Sequence, residues 1–264
     1  MILVDDHCHL MHAEYKELDK TIERAKKAGV KAIICSGINP PTNQQALEIA
    51  KKYAPLVRAS LGIYPVDALG LPQDVEAGLR TYKGPIDLDK EFEFIKQHKN
   101  EIAAVGEVGL DYHWVKDAEL QKKERENFAR IIEFVEKLKK PIIVHTRKAE
   151  EDCINMLTSS KIKHVVLHCF EGRKNLIKKA NDAGYIFSIP TNIVKSQHFQ
   201  ILAEMANINQ ITTETDGPYL SPDGSFPNEP ANVLEVVKKI AEIKKFTPEE
   251  VANNIWLNFQ RVYG

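Results

Sequence analysis

Six side chains of the kinds that bind metals are spread along the chain: His7, His9, Glu107, His145, His168 and Asp216. Residues two apart on an extended strand point the same way, so His7 and His9 can grip one ion together. Four imidazoles and two carboxylates exceed what a single tetrahedral ion needs. The set therefore predicts two divalent ions about 3.5–4 Å apart, with Glu107 as the bridging carboxylate. Nitrogen and oxygen donors without sulfur suit zinc, manganese, iron or nickel, and a weakly held magnesium also fits. Such a centre does hydrolysis, because water coordinated there is acidified toward neutrality while the second ion takes up charge from the scissile group. Asp216 is expected both to hold an ion and to accept the proton of the attacking water, which makes Asp216 and Glu107 the expected catalytic residues.

Taken singly, each of these residues has a plainer reading as a satisfied structural histidine or a loop carboxylate. Their positions argue otherwise. Eight short apolar runs alternate with longer segments of helical period: ILVDDH, KAIICSG, VRASLGI, IAAVGEVGL, PIIVHT, VVLHCF, YIFSIP and ITTETD. Repeated βα units of this kind predict a parallel sheet. The length of 264 residues suits one barrel of about 250 residues. The expected fold is a single α/β domain over residues 1–264, a (β/α)8 TIM barrel, with a doubly wound open sheet as the runner-up. In a closed barrel chemistry sits at the C-terminal ends of the strands, and all six residues fall at or near the end of a predicted strand.

The helices that must cover such a barrel are also legible. Over residues 119–139, Phe128, Ile131, Ile132, Val135 and Leu138 share one face, and the interleaved Lys and Glu residues read as a solvated outer side. Thr247, Pro248 and Glu250 form a capping box with proline at the first helical position, opening a last helix with Val251, Ile255, Phe259 and Val262 on one side. Residues 70–89 are the least regular stretch, expected as a loop with short helices.

A formal net charge of −1 excludes the broad basic footprint of a protein that coats nucleic acid, so any phosphate contact must be local. No apolar run approaches the roughly 20 residues needed to span a bilayer, and no signal-type core follows the start. Cys8, Cys35, Cys153 and Cys169 are scattered without a CxxC pair, which argues for a reducing compartment and against a thiolate zinc site. A cytoplasmic protein is expected, with Cys8 turned away from the two histidines beside it.

Six motifs, in order, carry a resemblance: DDHCHL at the start, AVGEVGLDYH at 104–113, PIIVHTRKA at 141–149, VVLHCFEG at 165–172, TETDGPYL at 213–220 and NEP at 228–230. With them the chain resembles the TatD family of metal-dependent deoxyribonucleases, within the amidohydrolase superfamily. The resemblance implies a binuclear barrel enzyme acting on DNA, in family members often a 3′ to 5′ exonuclease on single strands. It places one ion on His7, His9, Glu107 and Asp216, and the other on Glu107, His145 and His168. It also matches Arg147 to a family arginine that could clamp a phosphate, against the plainer reading of a surface salt bridge. Tyr112 is a candidate for stacking on a base or for simple loop packing. Glu171 is a candidate support for His168, and Asn228, with Glu229, for lining the pocket or capping a helix.

Two departures stand out. Where the family usually reads GiHP after the third strand, this chain has GIYP, so Tyr64 replaces a histidine, and the usual arginine before NEP is missing from DGSFPNEP. Both remove a polar group suited to substrate. The same metal chemistry serves a small ester, an amide or an acyl-tRNA, and that hydrolase is the competing expectation. A barrel that binds metal without turnover is a third reading, and the filling of all six ligand positions counts against it.

Overall fold

The protein is described by a computed structural model covering residues 1–71 and 78–264. Eight parallel strands follow one another around a single sheet in sequence order: β1 (Leu3–Cys8), β2 (Val30–Ser36), β3 (Val57–Ile63), β4 (Ile102–Gly109), β5 (Ile142–His145), β6 (Val165–His168), β7 (Ile186–Pro190) and β8 (Ile211–Glu214). Nearly every residue in them is buried, as expected for strands covered on both faces, and their Val, Ile and Ala content supplies that burial. The fold is thus the (β/α)8 barrel, and the open doubly wound sheet does not occur.

The last strand meets the first through sparse backbone contacts: the Asp216 N–H donates to the His7 carbonyl at 3.0 Å and the His9 N–H to the Gly217 carbonyl at 2.8 Å. Side chains complete this seam. Asp5 accepts from the Thr215 N–H at 2.8 Å and from its hydroxyl at 2.6 Å, and the Thr213 hydroxyl donates to the Val4 carbonyl at 2.6 Å. Asp6, also buried, accepts from the Ser188 and Thr212 hydroxyls.

Helices wrap the sheet: α1 (Leu18–Ala28), α2 (Pro40–Lys52), α3 (Pro65–Ala68), α4 (Leu88–Gln97), α5 (Ala118–Leu138), α6 (Glu150–Thr158), α7 (Lys174–Asp182), α8 (Gln197–Met205), α9 (Val233–Lys244) and α10 (Pro248–Tyr263). Helix α5 starts where Asp117 caps the N–H groups of Glu119 and Leu120, and it buries Phe128, Ile131, Ile132, Val135 and Leu138. Helix α10 opens with the capping box of Thr247 and Glu250 and buries Val251, Ile255, Phe259 and Val262. In the irregular segment 70–89, residues 72–77 lie outside the described residues, and the remainder holds no helix before α4 begins at Leu88.

Candidate metal centre

The ends of β1, β4, β5, β6 and β8 bring all six expected residues to one place. Glu107 stands at the middle with its two carboxylate oxygens divided. Its Oε2 lies 3.3 Å from His7 Nε2 and 3.8 Å from His9 Nε2. Its Oε1 lies 2.7 Å from His145 Nδ1 and 3.8 Å from His168 Nε2. Asp216, just past β8 with a left-handed backbone (φ 52°), sets Oδ1 at 3.6 Å from His9 Nε2 and 3.8 Å from both His7 and His168 Nε2. Donors around a tetrahedral ion at about 2.1 Å are spaced by about 3.4 Å, so the separations of 3.3–3.8 Å fit the edges of such a polyhedron, while the 2.7 Å contact of Glu107 with His145 is a hydrogen-bond distance that an ion between them would open. Four groups of converging donors share members among the described residues: His7, His9 and Glu107; Glu107, His145 and His168; His7, His168 and Asp216; and, beside them, His168, Cys169 and Glu214. A carboxylate split between two histidine pairs is consistent with a site for two ions.

Close approach of β3 to β4 makes this possible. At Gly62 a Cβ would collide with the backbone N and O of Glu107, so only glycine lets the strand carrying the bridging carboxylate sit where it does.

Each imidazole is held by its other nitrogen. His9 Nδ1 meets the Ser36 carbonyl at 2.9 Å, His7 Nδ1 the Ser36 hydroxyl at 3.3 Å, His168 Nδ1 the Glu214 carboxylate at 2.9 Å, and His145 Nε2 the Asp111 carboxylate at 2.9 Å. Such partners fix ring orientation and tautomer. The electrostatics are those of a cluster waiting for cations. Burial opposes charge on Glu107, but His168, His145 and His7 outweigh it and hold the carboxyl well below the usual range. Burial likewise lowers the His145 pKa, yet Asp111 and Glu107 push it up to about 9. For His168, Glu214, Glu107 and Asp216 overcome burial and push it up to about 10. His7 goes the other way, lowered by burial and by neighbouring His168. The same carboxylates that raise the His145 and His168 imidazoles are the ones a cation bound there would pair with, and metal binding requires the imidazoles neutral.

Above the cluster opens a cavity of about 270 Å³, walled by Tyr64, Trp114, Arg147, Phe199, Tyr219 and Leu220 among others. Arg147 reaches it, with its guanidinium 5.8 Å from the Trp114 ring, and Trp114 is 43 % exposed. Tyr112 and Asn228, expected at the substrate, are placed elsewhere. The Tyr112 hydroxyl donates to Asp152 at 2.6 Å and accepts from Arg125 at 2.8 Å, away from the cavity wall. Asn228 is wholly buried, and its amide nitrogen donates to Thr191 Oγ1 and to the carbonyls of Thr215 and Tyr219, tying down the loop that carries Asp216. Glu229 pairs with Arg24 at 2.6 Å. Glu171 lines the cavity, but the carboxylate on His168 is Glu214. Cys8 is buried against the Tyr15 hydroxyl and the Gly217 carbonyl, both at 3.7 Å, while Cys169 is half-buried at the cavity.

Ser36, Asp111, Glu214 and Trp114 are the residues that sequence reasoning missed. Glu214 is the last residue of β8, two before Asp216 in the same TETDGPYL motif, which is the one signal the sequence offered for it. Nothing in the spacing marks the others.

A barrel with this cluster of histidines and carboxylates at the C-terminal mouth of its strands belongs to the metal-dependent hydrolases. More narrowly, the chain is a member of the TatD family, which, under the description TatD related DNase, matches residues 4–264. Among curated proteins it is 34 % identical over 252 residues to human "Deoxyribonuclease TATDN3", covering 94 % of this chain and 90 % of that one. It is 36 % identical over 256 residues to "Uncharacterized metal-dependent hydrolase MJ1582" of Methanocaldococcus jannaschii, covering 97 % and 94 %. Of solved structures, the TatD homologue YJJV of Escherichia coli superposes with a TM-score of 0.83 at 20 % identity, covering 99 % of this chain and 97 % of that one, a likeness of fold. No helix among the described residues is long and apolar enough to cross a membrane.

Proposed function

We propose that this protein is a divalent-metal-dependent deoxyribonuclease, shortening single-stranded DNA from the 3′ end. The observation that carries the reading is the division of the Glu107 oxygens between His7 and His9 on one side and His145 and His168 on the other, directly beneath a cavity lined by a free-reaching arginine. The names of the human and other relatives supply the DNA substrate. In this reading His7, His9, Glu107 and Asp216 hold one ion, and Glu107, His145 and His168 the other. Ions bound there would supply Lewis acidity, acidifying water and taking up charge from the phosphate. Zinc, manganese, iron, nickel or magnesium can serve, since no donor is sulfur.

The chain's own groups do the rest. Asp216, with a side chain 16 % exposed against 5 % for Glu107, is the carboxylate open to the cavity, and it accepts the proton of the attacking water. Arg147 offers a planar fork to a phosphate. Trp114 at the rim offers a face on which a base can stack, the role that sequence reasoning gave to Tyr112. The enclosing walls and modest volume also suit a small ester, an amide or the acyl end of an acyl-tRNA, which keeps that hydrolase as the second reading. Four free cysteines accord with a cytoplasmic setting.

The test is digestion of an end-labelled single-stranded oligonucleotide with magnesium, manganese or zinc, beside Glu107→Ala prepared identically. A metal-dependent ladder shortening from the 3′ end and absent in the variant is expected. Intact DNA under every metal, with ions still bound to the protein, would replace the nuclease by the small-ester reading.

A further inference from the structure

The residue that departs from the family pattern, Tyr64, lines the cavity yet has its hydroxyl turned to another task. It donates to Asp111 Oδ2 at 2.7 Å, and the same oxygen holds His145 Nε2 at 2.9 Å. The other oxygen, Oδ1, accepts the N–H groups of His113 at 2.9 Å and Trp114 at 3.0 Å. Asp111 is 0 % exposed, and these four donors fill the acceptor capacity of an ionised carboxylate. Because a carboxylate can only accept, His145 must carry a proton on Nε2, and this leaves Nδ1, 2.7 Å from Glu107 Oε1, as the atom offered to an ion. The Tyr64 ring also meets the His145 ring edge to face, with centroids 5.0 Å apart and planes at 72°.

Tyr64 is itself rigidly placed. Its N–H donates to the Ile38 carbonyl at 2.8 Å, its carbonyl accepts from Ala68 at 2.9 Å, and Pro65 follows it at the start of α3. A side chain anchored at both its backbone groups and its hydroxyl is a support and not an adaptable substrate contact.

We propose that Tyr64 is a positioning residue for the metal centre: acting through Asp111, it fixes the His145 ring with Nδ1 toward Glu107 and so sets the affinity of the ion shared by Glu107, His145 and His168. The inference rests on the metal-centre reading above. One carboxylate further ties the rim residue Trp114 to the ligand His145, so the loop at the cavity mouth and the ion site share an anchor.

The test is calorimetric titration of the metal-stripped full chain with Zn2+ and, separately, Mn2+. Tyr64→Phe keeps the ring and removes the hydroxyl. Outer partners of metal ligands are commonly worth 10–100-fold in affinity, and at one remove the expected loss is about tenfold. It should fall on one of two ions, the same ion that His145→Ala abolishes, and leave the other unchanged. Asp111→Asn should show the same selectivity with a larger loss. Nitrogen-15 spectra of the metal-free protein give a second readout: the wild-type His145 Nε2 is expected to carry a proton toward Asp111, and in Tyr64→Phe its Nε2 signal should move, which mere loss of packing elsewhere would not produce. Equal weakening of both ions, or unchanged affinity with an unchanged His145 spectrum, would overturn the assignment of Tyr64. Failure of the wild-type chain to bind any divalent ion would overturn the metal reading beneath it, and the His145 spectrum would still separate that failure from this one.

Discussion

Replacing Glu214 by glutamine tests the centre at a residue outside the six expected ligands. The Glu214 Oε2 holds His168 Nδ1 at 2.9 Å and Oε1 accepts the Cys169 N–H at 3.1 Å, so both oxygens accept. A carboxamide has one acceptor and one donor group, and it cannot serve both partners. If its oxygen stays with Cys169, its NH2 faces His168 and forces the imidazole proton onto Nε2, the atom directed at Glu107 and Asp216. If it flips, two buried donors confront each other at Cys169, at about 1–3 kcal/mol. In the first arrangement, which avoids the clash at Cys169, affinity for the ion on Glu107, His145 and His168 should fall by 10–100-fold, about 1.4–2.7 kcal/mol, while the ion on His7 and His9 is affected less. Two-site calorimetry reads the loss, and the thermal stabilisation conferred by added metal should shrink in parallel. Unchanged affinity at both sites, or an identical loss at both, would refute the argument from tautomer control.

Three more outcomes are expected. Glu124 on α5 is 1 % exposed, with Oε1 lacking a hydrogen-bond partner, and burial pushes its carboxyl up to about 8 from 4.5. The folded protein therefore keeps a proton that the unfolded chain releases, so Glu124 costs stability progressively from about pH 4.5 to about pH 8. Glu124→Gln should flatten that slope and raise stability at pH 8 by up to about 4–5 kcal/mol, with little change at pH 5, in urea titrations; an equal shift at both pH values would count against it. Gly62→Ala should cost about 1–3 kcal/mol and lower metal content together, because the added methyl displaces the Glu107 backbone; full metal occupancy would contradict the close approach. Arg147→Ala should reduce kcat/KM on an oligonucleotide by about 10–100-fold with metal content intact, the loss of one charge-assisted phosphate contact; an undiminished kcat/KM would remove Arg147 from the substrate.

What could be read in the chain and what could not follows from the range of each interaction. Strands buried on both faces must be continuous apolar runs, so all eight were visible, and residues at their C-terminal ends could be assigned to one mouth without knowing any distance. The capping box at Thr247 and the stripe on α5 are local and were equally plain. The outer partners were not, because Ser36, Asp111 and Glu214 reach the histidines across strands or from a loop, where no period links them to their targets. Tyr112 and Trp114 lie two residues apart in a loop that follows no period, and only the Asp111 turn, which binds the His113 and Trp114 N–H groups, decides which ring faces the cavity. Asn228 was misplaced for a similar reason: a polar residue beside a predicted pocket can serve the pocket or hold the loop that forms it, and three donor contacts to Thr191, Thr215 and Tyr219 commit it to the loop.

Closure of the barrel and assembly of one half of the centre depend on the same contacts. β1 carries His7 and leads to His9, and β8 leads to Asp216, but between these strands the ladder is replaced by isolated backbone bonds and by Asp5 on Thr215. Strands β4, β5 and β6, which carry Glu107, His145 and His168, are joined by parallel ladders, unbroken between β5 and β6 and with one register shift between Val105 and Val108 where β4 meets β5. An apolar β1 would close the barrel with fewer buried polar groups to satisfy, yet it could not hold the turn at Asp216 against His7. The DDH sequence of the first strand is therefore a structural requirement of the site: its two aspartates bind the seam so that its histidine meets the far strand. The two halves of the centre are therefore joined differently: His7 and His9 meet Asp216 across the seam of isolated bonds, whereas Glu107, His145 and His168 stand on neighbouring strands of the ladder.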